Sequence, residues 1–292
     1  MNSRIVRVSL VVMLSLSMAL LFASGCRSAE ENGEAEEPAA PATPTPEPTV
    51  PPEPADLTQV LVYFAKGEKL GVVGRELTEV STAYEAALKA LLEGPTADEV
   101  SWGMHSEIPQ GTQLLGVEIG DDRVATVDLT AEFGSGGGSL SMQVRVAQVV
   151  YTLTQFEGVD TVAFMIDGEP AEAIGGEGLI VSPPVGRDDF ANVVPEILIE
   201  HPVPGQSVTS PIPVSGQANT FEATFQLELS TAEGVIAERL VTGGGSGTWE
   251  PFSTDLEFSR TEPIAGYLNA YYFSAEDGSR VDAYSVPVTL EP

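Results

Sequence analysis

STAYEAALKALLEGPTADEVSWGMHSEIPQGTQLLGV, residues 81–117, decides how this chain is built. Apolar side chains recur at Tyr84, Ala87, Leu88, Leu91 and Leu92. That is the i, i+3, i+4, i+7, i+8 spacing of one buried helical stripe. Thr82 stands at the N-cap position with Glu85 three residues on, the spacing of a capping box. Gly94 and Pro95 stop the helix, because glycine accepts a left-handed turn and proline supplies no N–H to continue the ladder. A loop follows, then a strand from Leu114. The stretch holds no nucleophile beside a base, no metal-ligand spacing and no glycine loop shaped for phosphate. Its reading is architectural, a helix that needs a sheet to cover it.

The sheet is supplied on both sides. Upstream, LTQVLVYFA at 57–65 is rich in β-branched and aromatic residues and predicts a strand, and Leu70 to Leu77 predicts a second after a turn at Lys66 to Lys69. Downstream, Leu114 to Ile119 and Val124 to Leu129 flank a Gly120-Asp121-Asp122 turn and read as a hairpin. A second helix is expected over Ser139 to Phe156, with Leu140, Val144, Ala147, Val150 and Tyr151 on its apolar face. Its valines lower the intrinsic helix propensity, so packing must hold it. Thr161 to Ile166 is a last strand, ending in the turn Asp167-Gly168-Glu169-Pro170. The order implies an α+β domain, a small sheet with two helices on one face. GSGGGS at 134–139 lacks the GK[ST] continuation of a phosphate loop and reads as a flexible connector.

VLVYFA, Arg75, ALKALLEGP, EIPQGTQLLGVEI, VATVDLTAEF, YTLTQF and EGVDTVAFMIDG, in that order, resemble the GerMN domain of sporulation and germination lipoproteins and other bacterial envelope proteins. The resemblance runs over residues 57–170. It implies an interaction or assembly domain, carries no catalytic residues with it, and implies a part in sporulation or germination. Arg75 is the position in it worth singling out, read as a lone cation in an acidic domain. It reads first as a structural ion pair with a nearby carboxylate, and second as a partner-binding residue.

Residues 171–195, with Pro183-Pro184, Arg187-Asp188-Asp189 and Pro195, read as a linker with one short strand near Leu179 to Val181. Residues 196–292 then alternate turns with seven short β runs: 197–200, 212–218, 223–230, 235–242, 249–258, 264–273 and 281–290. That is the pattern of an all-β immunoglobulin-like sandwich. In Phe221 to Leu229 the odd positions are apolar and the even ones polar, one face for the core and one for water. HPVPGQSVTSPIPVSGQANTFEATFQLEL and GTWEPFSTDLEF resemble the immunoglobulin-like domain of bacterial spore germination, often placed beside GerMN. Tyr267, Tyr271, Tyr272, Phe273 and Tyr284 are core or edge residues on the common reading and a carbohydrate-binding surface on the other. GGGSG at 243–247 reads as a mobile hairpin loop.

The amino-terminal 25 residues carry Arg4 and Arg7, an apolar run from Val8 to Phe22, and then Ala23-Ser24-Gly25 before Cys26. The run has the length of a signal-peptide core and is short for a transmembrane helix. The pattern resembles the lipobox of bacterial lipoproteins, which implies that Cys26 is diacylated and becomes the mature amino terminus. A membrane anchor through Cys26 and an extracytoplasmic location follow as expectations. Cys26 is the single cysteine, so no intramolecular disulfide can form. Residues 26–56 are Glu-, Ala-, Pro- and Thr-rich and predict an acidic, extended tether at ~3.1 Å per residue.

Composition closes off several functions. With 43 acidic and 13 basic residues the formal charge is −30, which speaks against nucleic acid as a partner. Two histidines, His105 and His201, have no companion at helical spacing, and no GxSxG elbow precedes a helix. Neither an enzyme nor a cofactor is expected. A solute-binding lipoprotein would need two α/β lobes, and the second half shows no helical period. The chain reads as a lipid-anchored module that contacts other envelope proteins or further copies of itself. The alternative is a module that binds peptidoglycan or another wall polymer.

Overall fold

In this computed structural model the described residues are 58–77, 82–176, 178–245 and 247–292, so the expected leader, Cys26 and the expected tether lie outside them. β1 (Thr58–Lys66) and β2 (Lys69–Leu77) form an antiparallel hairpin in register over nine pairs. Side chains from both strands fill the core, including Val62, Phe64, Leu70, Val72 and Val73. α1 (Ala83–Glu93) buries Ala87, Leu88, Ala90 and Leu91, the face its spacing predicts. Thr82 is its N-cap, yet the hydroxyl makes no cap bond to the helix backbone and meets the Glu85 side chain at 3.4 Å instead. Gly94, at φ 84°, ends the helix as expected.

The loop expected at 95–113 is more ordered than its sequence suggests. α2 (Ala97–Ser101) carries a complete capping box between Thr96 and Glu99, and β3 (Met104–His105) pairs with the end of β1. β4 (Leu114–Ile119) and β5 (Val124–Leu129) form the predicted hairpin. α3 (Ser139–Leu153) then crosses to β6 (Thr161–Ile166), which lies parallel to β5, a pairing that demands such a crossover. β7 (Glu169–Pro170) closes this sheet. The α+β class stands, but the strands divide into two sheets, β2-β1-β3 and β4-β5-β6-β7, rather than one.

α3 is the centre of the domain. From Val144 to Leu153 every residue is buried, whereas Leu140, expected on the apolar face, is 42% exposed. A helix enclosed on all sides tolerates valines because packing, not propensity, holds it. Its polar residues Arg145, Gln148 and Thr152 form one ridge, which Gln155 continues just past the end of the helix. β3 covers only the last two residues of β1, so the outward peptide groups of Leu61 and Tyr63 have no strand to pair with. Gln155 accepts from Leu61 N (2.7 Å) and donates to Leu61 O (2.6 Å). Thr152 Oγ1 accepts from Tyr63 N (3.2 Å), and Gln148 Nε2 donates to Tyr63 O (3.3 Å). Gln148 Oε1 also accepts from Glu107 N at 2.9 Å.

Arg145 explains the glycine loop before α3. Its guanidinium donates to the carbonyls of Phe133 (2.6 Å), Ser135 (2.9 Å) and Gly136 (3.2 Å), and its Nε to Glu107 O (2.8 Å). A phosphate loop turns N–H groups inward; this one turns carbonyls onto a cation. The loop is built around Arg145 and is not a free connector.

The segment read as a linker is folded too. β8 (Ala173–Ile174) pairs with β9 (Leu179–Ile180), and a 3₁₀ stretch at Arg187–Val193 packs on α3 with Phe190 and Val193 buried. The all-β part has two sheets. One holds β10 (Ile197–His201), β12 (Ile212–Thr220) and β16 (Glu250–Leu256). The other has the order β11 (Ser207–Val208), β18 (Arg280–Leu290), β17 (Ile264–Phe273), β13 (Thr224–Thr231), β14 (Gly234–Thr242). Phe225, Leu227 and Leu229 point inward as predicted, but Phe221 is exposed and Glu228, expected in water, is buried under Arg280. The glycine run at 243–247 is no hairpin loop. It carries the chain from β14 to β16 in the other sheet, with β15 (Gly244–Gly245) laid along the end of β12. A Cβ on Gly244 would sit 2.3 Å from Thr248 O, so only glycine fits. All the described residues fall in one compact unit.

The ridge on α3 makes a prediction. Gln148→Leu keeps the volume but orphans Tyr63 O and Glu107 N, and is expected to destabilise the protein by about 1–3 kcal/mol in urea unfolding. An unchanged midpoint would mean that these peptide groups do not depend on the helix.

Candidate functional site

The most elaborate side-chain cluster lies where the two domains meet. Tyr63, on β1, faces Tyr151, on α3, with ring centroids 5.4 Å apart. The 3₁₀ stretch lays Arg187 across both rings, 4.6 Å from the Tyr151 centroid and 5.5 Å from that of Tyr63. Glu200, at the end of β10, closes the cluster: its Oε1 accepts from the Tyr63 hydroxyl and from Arg187 Nη1 at 3.1 Å. Arg187 Nε donates to Thr154 Oγ1 at 2.9 Å. Nearby, Tyr284 of β18 accepts from Val72 N at 3.0 Å, and Lys66 Nζ donates to Ser285 O at 2.9 Å. Burial pushes the Tyr63 phenol well above its ordinary range, with Glu200 adding to the effect. Burial likewise raises Tyr284, and pushes Tyr151 up to about 12. These polar groups are spent on one another, so the cluster fastens domain to domain.

Arg75 is placed inside the first domain. It makes a two-pronged ion pair with Glu99, its Nη2 lying 2.8 Å from Oε2, and donates to Gly94 O at 3.3 Å. Glu99 also accepts from Thr96 N at 2.7 Å within the α2 capping box. Arg75 therefore ties β2 to the corner between α1 and α2, which is the structural reading of this residue. Nor is it a lone cation there: Lys66, Lys69, Lys89, Arg123 and Arg145 share the domain.

The five aromatics singled out in the second domain do not form one exposed surface: Tyr284 is buried, and Phe273 is exposed. Tyr267 is 54% exposed. Tyr271 is 7% exposed, with Arg280 stacked 3.7 Å from its ring centroid, and Tyr272 packs against the core. Cys26 lies outside the described residues. His105, Glu107 and Ser141 do meet, but in an unproductive order. Ser141 donates to Glu107 Oε2, and His105 Nε2 lies 3.3 Å from Glu107 Oε1. The histidine touches the carboxylate and not the serine, so it is not placed to take a hydroxyl proton. Among the described residues no three His, Cys, Asp or Glu side chains gather as a metal site requires.

Sequence reasoning did not find the Arg187 cluster. Tyr63 and Glu200 are 137 positions apart, and Arg187 sits in a Gly- and Pro-rich stretch. The one available signal was an arginine inside a supposed linker.

Residues 61–172 match the domain family described as sporulation and spore germination, and residues 196–279 match the immunoglobulin-like domain of bacterial spore germination. The chain thus carries a GerMN domain followed by a spore-germination immunoglobulin-like domain. It is similar to the spore germination protein GerM of Bacillus subtilis strain 168, at 28% identity over 127 residues. That match takes in 42% of this chain and 34% of GerM, so the chain spans about a third of that relative. Among solved structures, the first GerMN domain of Bacillus subtilis GerM is matched at 26% identity over 45% of this chain and 99% of that one, with a TM-score of 0.38. The tandem GerMN domains of the same protein are matched at 21% identity, 80% and 60% coverage and a TM-score of 0.38. A lipoprotein from Clostridium perfringens is matched at 20% identity, 47% and 93% coverage and a TM-score of 0.35.

Two outcomes test the geometry. Removing one member of a buried ion pair strands the other, so Arg75→Ala is expected to cost about 3 kcal/mol, and the Arg75→Ala/Glu99→Ala pair markedly less than the sum of the single changes. Additive single effects in urea unfolding would rule the pairing out. The tyrosines set an alkaline limit. Their folded pKa values lie above the unfolded value near 10, so the stability they contribute is intact below about pH 10 and is lost as pH rises past it, by about 1.4 kcal/mol per pH unit for each group. Of the seven tyrosines, Tyr63, Tyr151 and Tyr284 are expected to ionise only together with unfolding, as read by phenolate absorbance against circular dichroism.

Proposed function

We propose that this protein is a lipid-anchored, extracytoplasmic member of the sporulation and germination machinery, a non-catalytic module that presents two fastened domains to other envelope proteins. The observation that carries the reading is one chain joining an apolar amino-terminal run and the Ala23-Ser24-Gly25-Cys26 sequence to two domains whose families are both described by spore germination. The junction supports it. Arg187, Tyr63, Tyr151 and Glu200 are engaged with each other, so the pair of domains meets a partner as one body. Copies of the chain and other envelope proteins are the partners proposed.

Binding of wall polymer through the second domain is the second reading. Tyr267, its ring half open to solvent on β17, is the residue that favours it.

Anchoring is tested by growing the native host with radiolabelled palmitate. The protein is expected to take up label and sediment with membranes, and Cys26→Ser to lose the label and appear in the soluble fraction. Label-free native protein would remove the anchor from the proposal. Retention of the purified whole protein on purified wall, abolished by Tyr267→Ala, would replace the protein-partner reading with the second one.

A further inference from the structure

A cleft of about 530 Å³ opens between the β1–β2 turn and the β17–β18 hairpin, lined by Lys66, Lys69, Asn269, Arg280, Tyr284 and Ser285 among others. The chain has three lysines, and two of them are here. The third, Lys89, pairs with Glu85 on α1 at 2.7 Å. Lys66 and Lys69 behave differently. Lys66 Nζ donates to Ser285 O at 2.9 Å and lies 4.9 Å from the Tyr284 ring centroid; Lys69 Nζ donates to Asn192 O at 2.8 Å. Neither forms an ion pair with a carboxylate among the described residues.

In a chain with 43 acidic residues this is unexpected. A cation drawn partly out of water is ordinarily paired, because desolvation disfavours its charge. Burial lowers the Lys66 pKa with no carboxylate to offset it. Carbonyl acceptors hold an ammonium group in place without cancelling its charge, and an ammonium has three donors, of which each lysine spends one or two. Arg280, across the cleft, is by contrast paired with two carboxylates, Glu228 at 2.8 Å and Asp282 at 2.6 Å. The cleft thus holds two oriented, uncompensated positive charges beside neutral donors such as Asn269. Asp282 also lines the cleft, but its carboxylate lies 2.6 Å from Arg280 Nε, and more distant acids are screened over about 10 Å at ordinary salt.

We propose that this cleft is an oxyanion-binding site, in which the ammonium groups of Lys66 and Lys69 together take the carboxylate or phosphate group of a small ligand. The site stands independently of the anchoring and partner reading. Its two halves come from different domains, so occupancy also reports that the domains are docked.

Three lysines make a direct test. In whole protein labelled with ¹³C-lysine, three side-chain signals are followed during titration with succinate, inorganic phosphate or chloride at constant ionic strength. The expected result is a saturable shift of the Lys66 and Lys69 signals with succinate or phosphate, and none with chloride or at Lys89. Whichever oxyanion saturates first identifies the ligand chemistry. Lys69→Gln, at a half-buried position in the β1–β2 turn, is expected to weaken binding about tenfold, the loss of one charge-assisted hydrogen bond, with the backbone spectrum unchanged. Lys89→Gln should bind as the parent does. Shifts that grow without saturation and move all three lysines alike, or undiminished binding by Lys69→Gln, would overturn the site.

Discussion

A strand that outruns its neighbour leaves peptide groups in search of partners, and in β1 they are met by a helix. The outward N–H and C=O of Leu61 and of Tyr63 bond to Thr152 and Gln148 on α3 and to Gln155 in the turn just past its end. These residues recur at intervals of three and four, so they share one helical face that lies along the strand. A buried N–H or C=O left unpaired costs about 1–3 kcal/mol, so four such groups together rival the net stability of a domain. The apolar faces of α3 draw it into the core; this polar ridge fixes its height and rotation against β1. Arg145, one turn earlier, extends the same logic to the loop that leads into the helix.

The position of α3 determines the junction. With the helix set against β1, Tyr151 comes to lie over Tyr63, and the 3₁₀ stretch carries Arg187 across both. Glu200 then needs only to arrive from the first strand of the sandwich. No disulfide supports the arrangement, since Cys26 has no second cysteine to pair with. The domains are joined instead by a continuous apolar core, which runs from Val62 and Leu91 through Phe190 to Leu198 and Val286, and by hydrogen bonds at its margin. The chain between the domains is part of that core, which is why its glycines and prolines misled a reading based on composition.

What was legible in the sequence was what local physics controls. The helical stripe from Tyr84 to Leu92, the Gly94 stop, the hairpin around Gly120 and seven of the sandwich strands all follow from periodicity and turn chemistry, and all are present. What was illegible depends on residues far apart. A capping box at Thr96 and Glu99 escaped notice because the helix it starts is a single turn, and Glu99 is buried only because Arg75 reaches it from β2. Glycines at 134–139 and 243–247 read alike, yet one run wraps a guanidinium and the other passes against a strand too closely for a Cβ. Alternation placed Glu228 in water; Arg280, 52 positions on, covers it.

The same long-range pairings decide how the surface behaves. Arg75, Arg187 and Arg280 are held by Glu99, Glu200 and Glu228, and Arg145 by main-chain carbonyls, so a large part of the scarce positive charge is consumed internally. The exterior is predominantly acidic, with Lys89 and Arg123 among the exposed cations. Such a surface keeps a protein soluble and discourages indiscriminate contact, but it also repels any anionic polymer that approaches it. A partner must therefore be neutral or basic where it touches this surface, or be chosen by shape. That requirement sits more easily with a protein contact than with a negatively charged wall. Within this acidic surface the cleft differs, because Lys66 and Lys69 there are held by main-chain carbonyls and the Asp282 carboxylate beside them is engaged by Arg280.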